Sequence, residues 1–382
     1  MHFLFVTFPI LLMKLSKMGI TGTAFSWFES YLSERSQIVD INGNKSRSRK
    51  IKISVLQGSV LGPILFLCFI NDLHSVTSLL TLMYADDTFS LESGDDLTEL
   101  SNKINAEINK MAIWFRANKL AVNINKTKYM IFRSKGKKIN PEPVIIYDEN
   151  EPNHPQDNNL ITVLERYHDN HPSSDCRSYK LLGIYLDEHL SLDAHVNHIC
   201  NKLNRSLYCI KQAKHVIPAN GLKSLYFALI HSYLTYCTLI LNGITVQNRN
   251  RIEKVQKKAI RIMTGSAYNA HTTPLFLQHE ILPFDKLVLQ SQLSFMHAVE
   301  YKYAPPSFEN TWIKNSDREP AILLRNANDY YLPLPRTEAF KKSTYYSIPH
   351  AWNELAPEIK LQQNAITFKW ALKAHLLESL VE

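Results

Sequence analysis

Two adjacent carboxylates, Asp86 and Asp87, stand between residues 80–84 and 88–91, which are both β-prone. This pattern predicts a hairpin with the acidic pair at its turn. Neighbouring carboxylates repel each other unless a cation lies between them, and Mg²⁺ takes oxygen ligands from carboxylates and substrate phosphates. The pair therefore predicts a metal site suited to nucleotidyl transfer, although Asp-Asp is also an ordinary turn sequence.

The segment before this hairpin carries a second motif. Residues 55–66 read VLQGSVLGPILF, in which Gly58 and Gly62 would let the backbone approach a nucleotide or a templating base. Pro63 suits the first turn of a following helix. Together with the acidic hairpin, this segment resembles the palm of reverse transcriptases from non-LTR retrotransposons, of the LINE type and close to the jockey group. A glycine turn before a buried helix is the alternative interpretation.

Further motifs of the same family follow along the chain. Residues 123–132, NINKTKYMIF, resemble the next palm motif, and residues 179–187, YKLLGIYLD, resemble the primer-grip hairpin. Residues 340–343 and 348–355 resemble the tail region of the same elements. The resemblance implies an α+β fold, in which a partial right-hand polymerase palm (an antiparallel sheet with helices) is followed by a helical thumb and a C-terminal tail region.

The implied domain boundaries divide the chain into five parts. They are a partial palm over 1–135, a polar linker or insertion rich in Pro, Asn, Asp and Glu over 136–178, a primer-grip-like hairpin over 179–190, a helical thumb or connection over 191–312, and the tail region over 313–382.

The resemblance also implies roles for residues at the predicted site. Asp86 is the expected metal ligand, with Asp87 as its weaker neighbour, and the metal is Mg²⁺ or Mn²⁺. Tyr84 is expected near the primer end, and Gln57 and Gly58 near the incoming nucleotide and the template. The implied partners are an RNA template, a DNA primer and deoxynucleotides.

Several basic residues are candidates for contacts with nucleic acid. Lys126 is either an acid for the leaving pyrophosphate or a surface lysine in an Asn-rich turn. A predicted hairpin through Asn42-Gly43 has a basic edge, which is either a template contact or a solvated edge. The predicted helix 246–264 has cations around an apolar stripe. Its cationic face is expected either to contact a phosphate backbone or to be solvated. Its candidate contacts are Lys254, Lys257, Lys258 and Arg261.

One departure from the family pattern concerns a third carboxylate. Two-metal phosphoryl transfer uses an acid from a separate palm strand alongside the acidic pair. In the family this acid precedes the segment that reads ILLMKLSKMGI here, yet the first acidic residue of the chain is Glu29. Asp40 and Asp72 are the nearest substitutes, and neither matches the missing position. We therefore expect an N-terminally truncated polymerase without its fingers and its first catalytic Asp.

Composition fits an intracellular protein with a polyanionic partner. The chain has 382 residues, a net charge of +8 and a pI of about 9.0. Its five cysteines form no CxxC pair, which favours a reducing compartment. The apolar residues 3–13 are too few to cross a bilayer and lack the features of a secretion signal, so we expect neither a membrane span nor secretion.

Hydrophobic periodicity predicts helices over about 22–33, 60–73, 96–117, 191–215, 219–239 and 246–264.

Two functions compete for this chain. The first is the RNA-directed DNA polymerase domain of a non-LTR retrotransposon, as an inactive fragment. The second is a non-catalytic nucleic-acid-binding remnant or the product of a decayed element, and the discriminating feature is the acid absent before Glu29.

Overall fold

The computed structural model describes residues 6–51, 53, 58–148, 160–168, 171, 177–318 and 327–381. The chain divides into two compact units, Met1–His168 and Asp169–Glu382. Helices dominate both units, and every sheet in the described ranges consists of two strands. The predicted α+β class is therefore confirmed, whereas the description as palm and thumb stays a prediction. No helix among these residues is long and apolar enough to cross a membrane.

The regular elements of the first unit alternate helices with short hairpins. In chain order they are α1 Phe8–Lys17, α2 Gly22–Leu32, β1 Ser36–Gln37, β2 Asp40–Ile41, β3 Asn44–Lys45, β4 Arg49–Lys50, α3 Leu61–Ile70, β5 Leu80–Tyr84, β6 Asp87–Leu91, α4 Leu97–Ala117, β7 Lys128–Met130, β8 Ile145–Asp148, β9 Leu160–Val163 and β10 Glu165–Tyr167, with 3₁₀ turns at Asn71–Val76 and Ile124–Lys126.

Helices α1, α3 and α4 enclose the main core of the first unit. The sequence of α3 is apolar on all sides. Leu65, Phe66 and Phe69 on one face are buried, whereas Ile64 and Leu67 on the opposite face are about half exposed. Leu11 and Leu15 of α1 pack with Phe66 and Phe69 of α3 and with Trp114 of α4. Helix α4 begins where predicted, because the Asp96 carboxylate accepts a hydrogen bond from Glu99 N at 2.9 Å.

A nested hairpin over residues 36–50 follows α2. Strands β1 and β4 pair antiparallel, and so do β2 and β3 around the predicted Asn42-Gly43 turn. Gly43 has a φ of +86°, and its N–H donates to the Asp40 carboxylate at 2.9 Å. The turn is confirmed, but the two predicted long strands are divided into shorter ladders. Cations along the described part of this hairpin are exposed, and Lys52 of the predicted basic edge lies outside the described residues.

Part of the predicted linker, 136–178, is folded. Strand β8 pairs with β9, β10 pairs in parallel with β7, and Val144, Ile146 and Leu164 are buried against α4. The strands and the burial of Val144, Ile146 and Leu164 thus depart from the expectation of an exposed insertion or linker. These strands were not predicted, because proline and polar residues surround them and only short β-branched runs indicate them in the sequence.

The second unit is almost entirely helical after one hairpin. Its elements are β11 Tyr179–Leu181, β12 Ile184–Leu186, α5 Asp193–Ala213, α6 Ala219–Tyr226, α7 Ser232–Thr235, α8 Val246–Thr264, α9 Thr273–Gln278, α10 Phe284–Glu300, α11 Glu338–Lys342, α12 Thr344–Glu354, α13 Pro357–Lys360 and α14 Ala365–Glu378, with a π-helical turn at Phe227–His231.

The predicted apolar stripe of α8 lies in the core of this unit. Ile252, Val255 and Ala259 are buried against α5, which contributes Leu203 and Ile210. All three helices predicted between 191 and 264 are present, although the second is interrupted by the π-helical turn, which begins directly after fully buried Tyr226.

Candidate metal centre on the acidic hairpin

Strands β5 and β6 form the predicted hairpin, with Ala85 and Asp86 as its two-residue turn. The register pairs Tyr84 with Asp87, so Asp87 is the first residue of β6. Ala85 has a φ of +53°, a conformation that an L-residue adopts only at a steric cost and that tight hairpin turns require. Asp86 is half-buried, Asp87 is exposed and the Tyr84 side chain is 65% exposed. Both carboxylates and the tyrosine therefore lie at one accessible hairpin end.

A buried carboxylate on α4 fixes the opposite end of the hairpin. Glu107 accepts hydrogen bonds from the Thr77 hydroxyl at 2.8 Å and from Ser78 N at 2.7 Å, immediately before β5. Its other oxygen accepts from Lys110 Nζ at 2.6 Å. The Lys110 ammonium, the Ser78 N–H and the Thr77 hydroxyl lower the pKa of Glu107 to about 2. Glu107 stays ionised near neutral pH and connects the hairpin to the longest helix of the unit.

Neither substitute for the third carboxylate joins the acidic pair. Asp40 accepts the turn N–H of Gly43 in the nested hairpin. Asp72 accepts a hydrogen bond from Lys14 Nζ at 2.6 Å and one from Trp114 Nε1 at 3.4 Å. Among the residues that the structure describes, no three His, Cys, Asp or Glu side chains gather in a geometry that could hold a metal. Asp40 and Asp72 thus have structural roles.

The Lys14–Asp72 contact is part of the core that supports this hairpin. Lys14 is 7% exposed, and its ammonium also donates to Phe69 O at 2.7 Å and lies 4.5 Å from the Trp114 ring centroid. Burial lowers the pKa of Lys14, while the hydrogen bond to Asp72 opposes that shift. This ion pair connects α1 to the ends of α3 and α4.

The glycine motif lies at the start of α3. Gly58 has a φ of +79°, and a side chain there would meet no atom within 4 Å, so the backbone is strained for other residues but open to a ligand. The Ser59 hydroxyl accepts from Gly62 N at 3.0 Å in the first turn of the helix. Gln57 lies outside the described residues.

Lys126 ends a separate 3₁₀ turn that Asn123 caps. The Asn123 carboxamide oxygen accepts from Lys126 N at 3.2 Å, and the Lys126 side chain is exposed. The structure describes no contact that would position this ammonium as an acid. Its catalytic role and its role as a surface lysine both stay open.

The cations on α8 have different environments. Lys254 and Lys258 are exposed, and Lys257 is 3.4 Å from the Glu253 carboxylate one helical turn away. Arg261 Nε donates to Ala270 O at 2.9 Å, which holds the chain after α8 against the helix. The structure therefore gives Arg261 a structural contact that the sequence did not predict.

The predicted primer-grip-like hairpin is formed by β11 and β12 around Leu182 and Gly183. The Tyr236 hydroxyl donates a hydrogen bond to Leu182 O, which holds this turn. Directly after β12, the Asp187 carboxylate accepts from the backbone N–H groups of His189, Ser191 and Leu192. The hairpin is thus a rigid extension at the start of the second unit.

The donor set of the acidic turn fits one hard dication. Mg²⁺ is commonly held by one or two carboxylates, with water and substrate phosphates completing its oxygen ligands. Asp86 and Asp87 would supply the carboxylates, and the exposed turn would admit a phosphate. A second metal bridged by a third acid is not supported by the described residues.

Comparison with known proteins identifies the region that carries this site. The profile of the family described as reverse transcriptase (RNA-dependent DNA polymerase) matches residues 2–186. Three curated relatives come from Drosophila melanogaster. The probable RNA-directed DNA polymerase from transposon BS is 26% identical over 65% of this chain and 26% of the relative. The RNA-directed DNA polymerase from mobile element jockey is 23% identical over 64% of this chain and 25% of the relative. The probable RNA-directed DNA polymerase from transposon X-element is 23% identical over 68% of this chain and 27% of the relative.

The chain spans about a quarter of the length of these relatives. The matched region contains the glycine motif, the acidic hairpin and the primer-grip-like hairpin, which are the motifs that carried the resemblance. Residues 2–186 are therefore similar to the reverse transcriptase family, and the relatives are RNA-directed DNA polymerases from jockey-like non-LTR transposons.

Proposed function

We propose that this chain is part of an RNA-directed DNA polymerase, with the hairpin β5–β6 at its catalytic centre and α8 on a thumb that contacts the template–primer duplex. The observation that carries the proposal is the hairpin end that holds half-buried Asp86 and exposed Asp87, fixed to α4 through Glu107, inside the region that matches the family.

In the proposed reaction the primer 3′-hydroxyl attacks the α-phosphorus of a deoxynucleotide and pyrophosphate leaves. Asp86 and Asp87 would hold a divalent ion, which neutralises phosphate charge and lowers the pKa of the attacking hydroxyl. Tyr84, one residue before the turn, would contact the primer end. The open backbone at Gly58 would lie against the nucleotide or the template, and Lys126 would protonate the pyrophosphate.

We further propose that this chain alone binds template–primer without extending it. At the proposed site the described residues supply two carboxylates, those of Asp86 and Asp87, whereas in-line phosphoryl transfer with two metals needs a third carboxylate that bridges them. Loss of one such ligand removes several kcal/mol of transition-state stabilisation, and each 1.4 kcal/mol is about a factor of ten in rate. The competing function is nucleic-acid binding without metal chemistry, favoured by the structural engagement of Asp40 and Asp72.

Primer extension and metal-dependent binding together test these proposals. We would follow a fluorescent primer on an RNA template with deoxynucleotides and Mg²⁺ or Mn²⁺, and in parallel measure template–primer affinity with and without Mn²⁺. The expected result is no extension, together with Mn²⁺-enhanced binding that Asp86→Asn abolishes. Asp95→Asn is the matched control, because Asp95 belongs to the second acidic pair of the chain and is exposed.

Each outcome discriminates between the alternatives. Extension that disappears in Asp86→Asn would support the polymerase assignment and overturn the proposal of inactivity. Binding that is unaffected by Mn²⁺, or equally affected by both variants, would move the conclusion to a nucleic-acid-binding remnant.

A further inference from the structure

Two aromatic rings on one face of α2 and a guanidinium three residues after the helix form a stack that the acidic site does not use. Trp27, Tyr31 and Arg35 follow each other at intervals of four residues. The Trp27 and Tyr31 rings are 5.2 Å apart between centroids with planes at 11°, and the Arg35 guanidinium lies 4.9 Å from the Tyr31 centroid. Arg35 Nε also donates to Tyr31 O at 2.7 Å. We call these three side chains the α2 stack.

Trp27 is both fixed and accessible. The Phe28 ring packs edge-on against Trp27 at 5.1 Å, and Phe28 itself packs against the core of the first unit. Trp27 nevertheless remains 52% exposed. A planar ligand stacking on this indole would lose little affinity to side-chain ordering, because the ring is already held in place.

The α2 stack continues directly into the basic nested hairpin over residues 36–50. Arg35 O accepts a hydrogen bond from Ile51 N at 2.7 Å, and the neighbouring Ser36 pairs with Lys50. Residues 35–50 carry five cations and one acid, Asp40. The hairpin cations are all exposed, namely Lys45, Arg47, Arg49 and Lys50.

The charge of these cations remains available to a ligand. Lys50 lies 3.3 Å from the Glu34 carboxylate, but both side chains are largely exposed, and such surface pairs are weak. An accessible indole next to a row of cations is the combination that binds single-stranded nucleic acid, since bases stack on the ring and phosphates meet the charges.

We propose that the α2 stack and the nested hairpin form a binding surface for single-stranded nucleic acid, with an unpaired base on Trp27 and the backbone along the hairpin cations. In a duplex the base faces are covered by their neighbours, so this surface selects unpaired strand. The proposal rests on the polymerase assignment only for the identity of that strand, which would be unpaired template.

The test uses fluorescence anisotropy of the full chain with labelled oligonucleotides of about 12 nucleotides, a length in the range covered by small single-strand sites. The probes are oligo(U), oligo(dT) and an RNA–DNA duplex of equal length. Trp27→Leu removes the ring and keeps apolar bulk. The matched control is Trp370→Leu, because Trp370 is a 72% exposed tryptophan on α14 of the other unit.

Trp27→Leu should weaken single-strand binding about fivefold or more, since a stacked base contributes roughly 1–3 kcal/mol and 1.4 kcal/mol is tenfold. Duplex binding should change less than twofold. A second variant, Arg47→Gln with Arg49→Gln, should flatten the log–log salt dependence for oligo(U) by up to ~0.7 per cation. Lys137→Gln with Lys138→Gln removes the same charge at exposed positions elsewhere in this unit.

Equal single-strand affinity of Trp27→Leu and Trp370→Leu, with both variants folded by circular dichroism, would overturn the proposal. Duplex affinity and metal dependence would then still report on the polymerase assignment, so the two failures are distinguishable. Absence of single-strand binding by the unsubstituted chain would also refute the surface. If Trp27→Leu weakens the binding of oligo(U) and oligo(dT) equally, the proposal is supported and the surface does not recognise the 2′-hydroxyl.

Discussion

Replacement of Glu107 by Gln should release the acidic hairpin from α4. The carboxylate is 6% exposed and accepts three hydrogen bonds, from Lys110, Ser78 and Thr77. Hydrogen bonds to a charged group contribute about 1.5–3 kcal/mol each, compared with about 0.5–1.5 for neutral pairs. The amide of Gln also offers one acceptor oxygen in place of two. We expect Glu107→Gln to destabilise the first unit by about 2–3 kcal/mol.

The pH dependence of stability gives an independent estimate of the contribution that Glu107 makes to the free energy of unfolding. The pKa of Glu107 is depressed from 4.5 to about 2 in the folded chain, so its stabilisation is present above about pH 4.5 and is lost as pH falls towards 2. A depression of this size corresponds to at most roughly 3 kcal/mol. Unsubstituted chain and Glu107→Gln should therefore differ near neutral pH and converge at the acid end.

Hydrogen exchange of residues 77–91 measures this effect where it arises. Amides of β5 and β6 should exchange faster in Glu107→Gln near neutral pH, while amides of α3 keep their protection. Glu99→Gln is the control, since Glu99 is an exposed carboxylate of the same helix. Equal protection of the hairpin in both variants would refute the anchoring role, as would a difference that persists undiminished near pH 2, where about half of Glu107 is protonated.

Two further predictions concern other contacts. Lys14→Met should destabilise the first unit by about 2 kcal/mol, because Phe69 O loses a buried donor, whereas Asp72 is half-exposed and can hydrate. Chemical denaturation followed by circular dichroism, with exposed Lys17→Met as the control, would contradict this prediction if both variants unfolded at the same denaturant concentration. On α8, Lys254→Gln with Lys258→Gln should flatten the log–log salt dependence of duplex binding by roughly 0.7 to 0.9 per cation. An unchanged slope, or the same change for Lys211→Gln with Lys214→Gln, two exposed lysines at the C-terminal end of α5, would favour a solvated helix face.

The elements around the acidic pair were predictable because their signals are local. The β-prone flanks of Asp86 and Asp87 predicted β5 and β6, and hydrophobic periodicity predicted α4, which begins directly after its Asp96 cap. The Asn42-Gly43 turn was equally recognisable. Such features depend on neighbours within a few residues.

The contacts that hold these elements together depend on distant residues. Glu107 reaches Ser78 across 29 positions, and Lys14 reaches Asp72 across 58. A partial signal existed for Glu107, since it lies three residues after Ile104 and four before Met111, within the apolar stripe of α4. A charge at that spacing indicates a buried partner, although the partner itself cannot be read from one sequence.

The parallel pairing of β7 with β10 has a consequence for the order in which the first unit assembles. The other described ladders of this unit form between strands that follow each other or lie within one nested hairpin, whereas β7–β10 joins Lys128 to Glu165. Closing a longer loop costs more chain entropy before its contacts repay it. The Lys128–Glu165 ion pair at 2.5 Å therefore completes a ladder that should form late, after α4 offers β8 its packing surface. Pulse-labelling hydrogen exchange during refolding would show this as late protection of residues 165–167, and early protection would refute it.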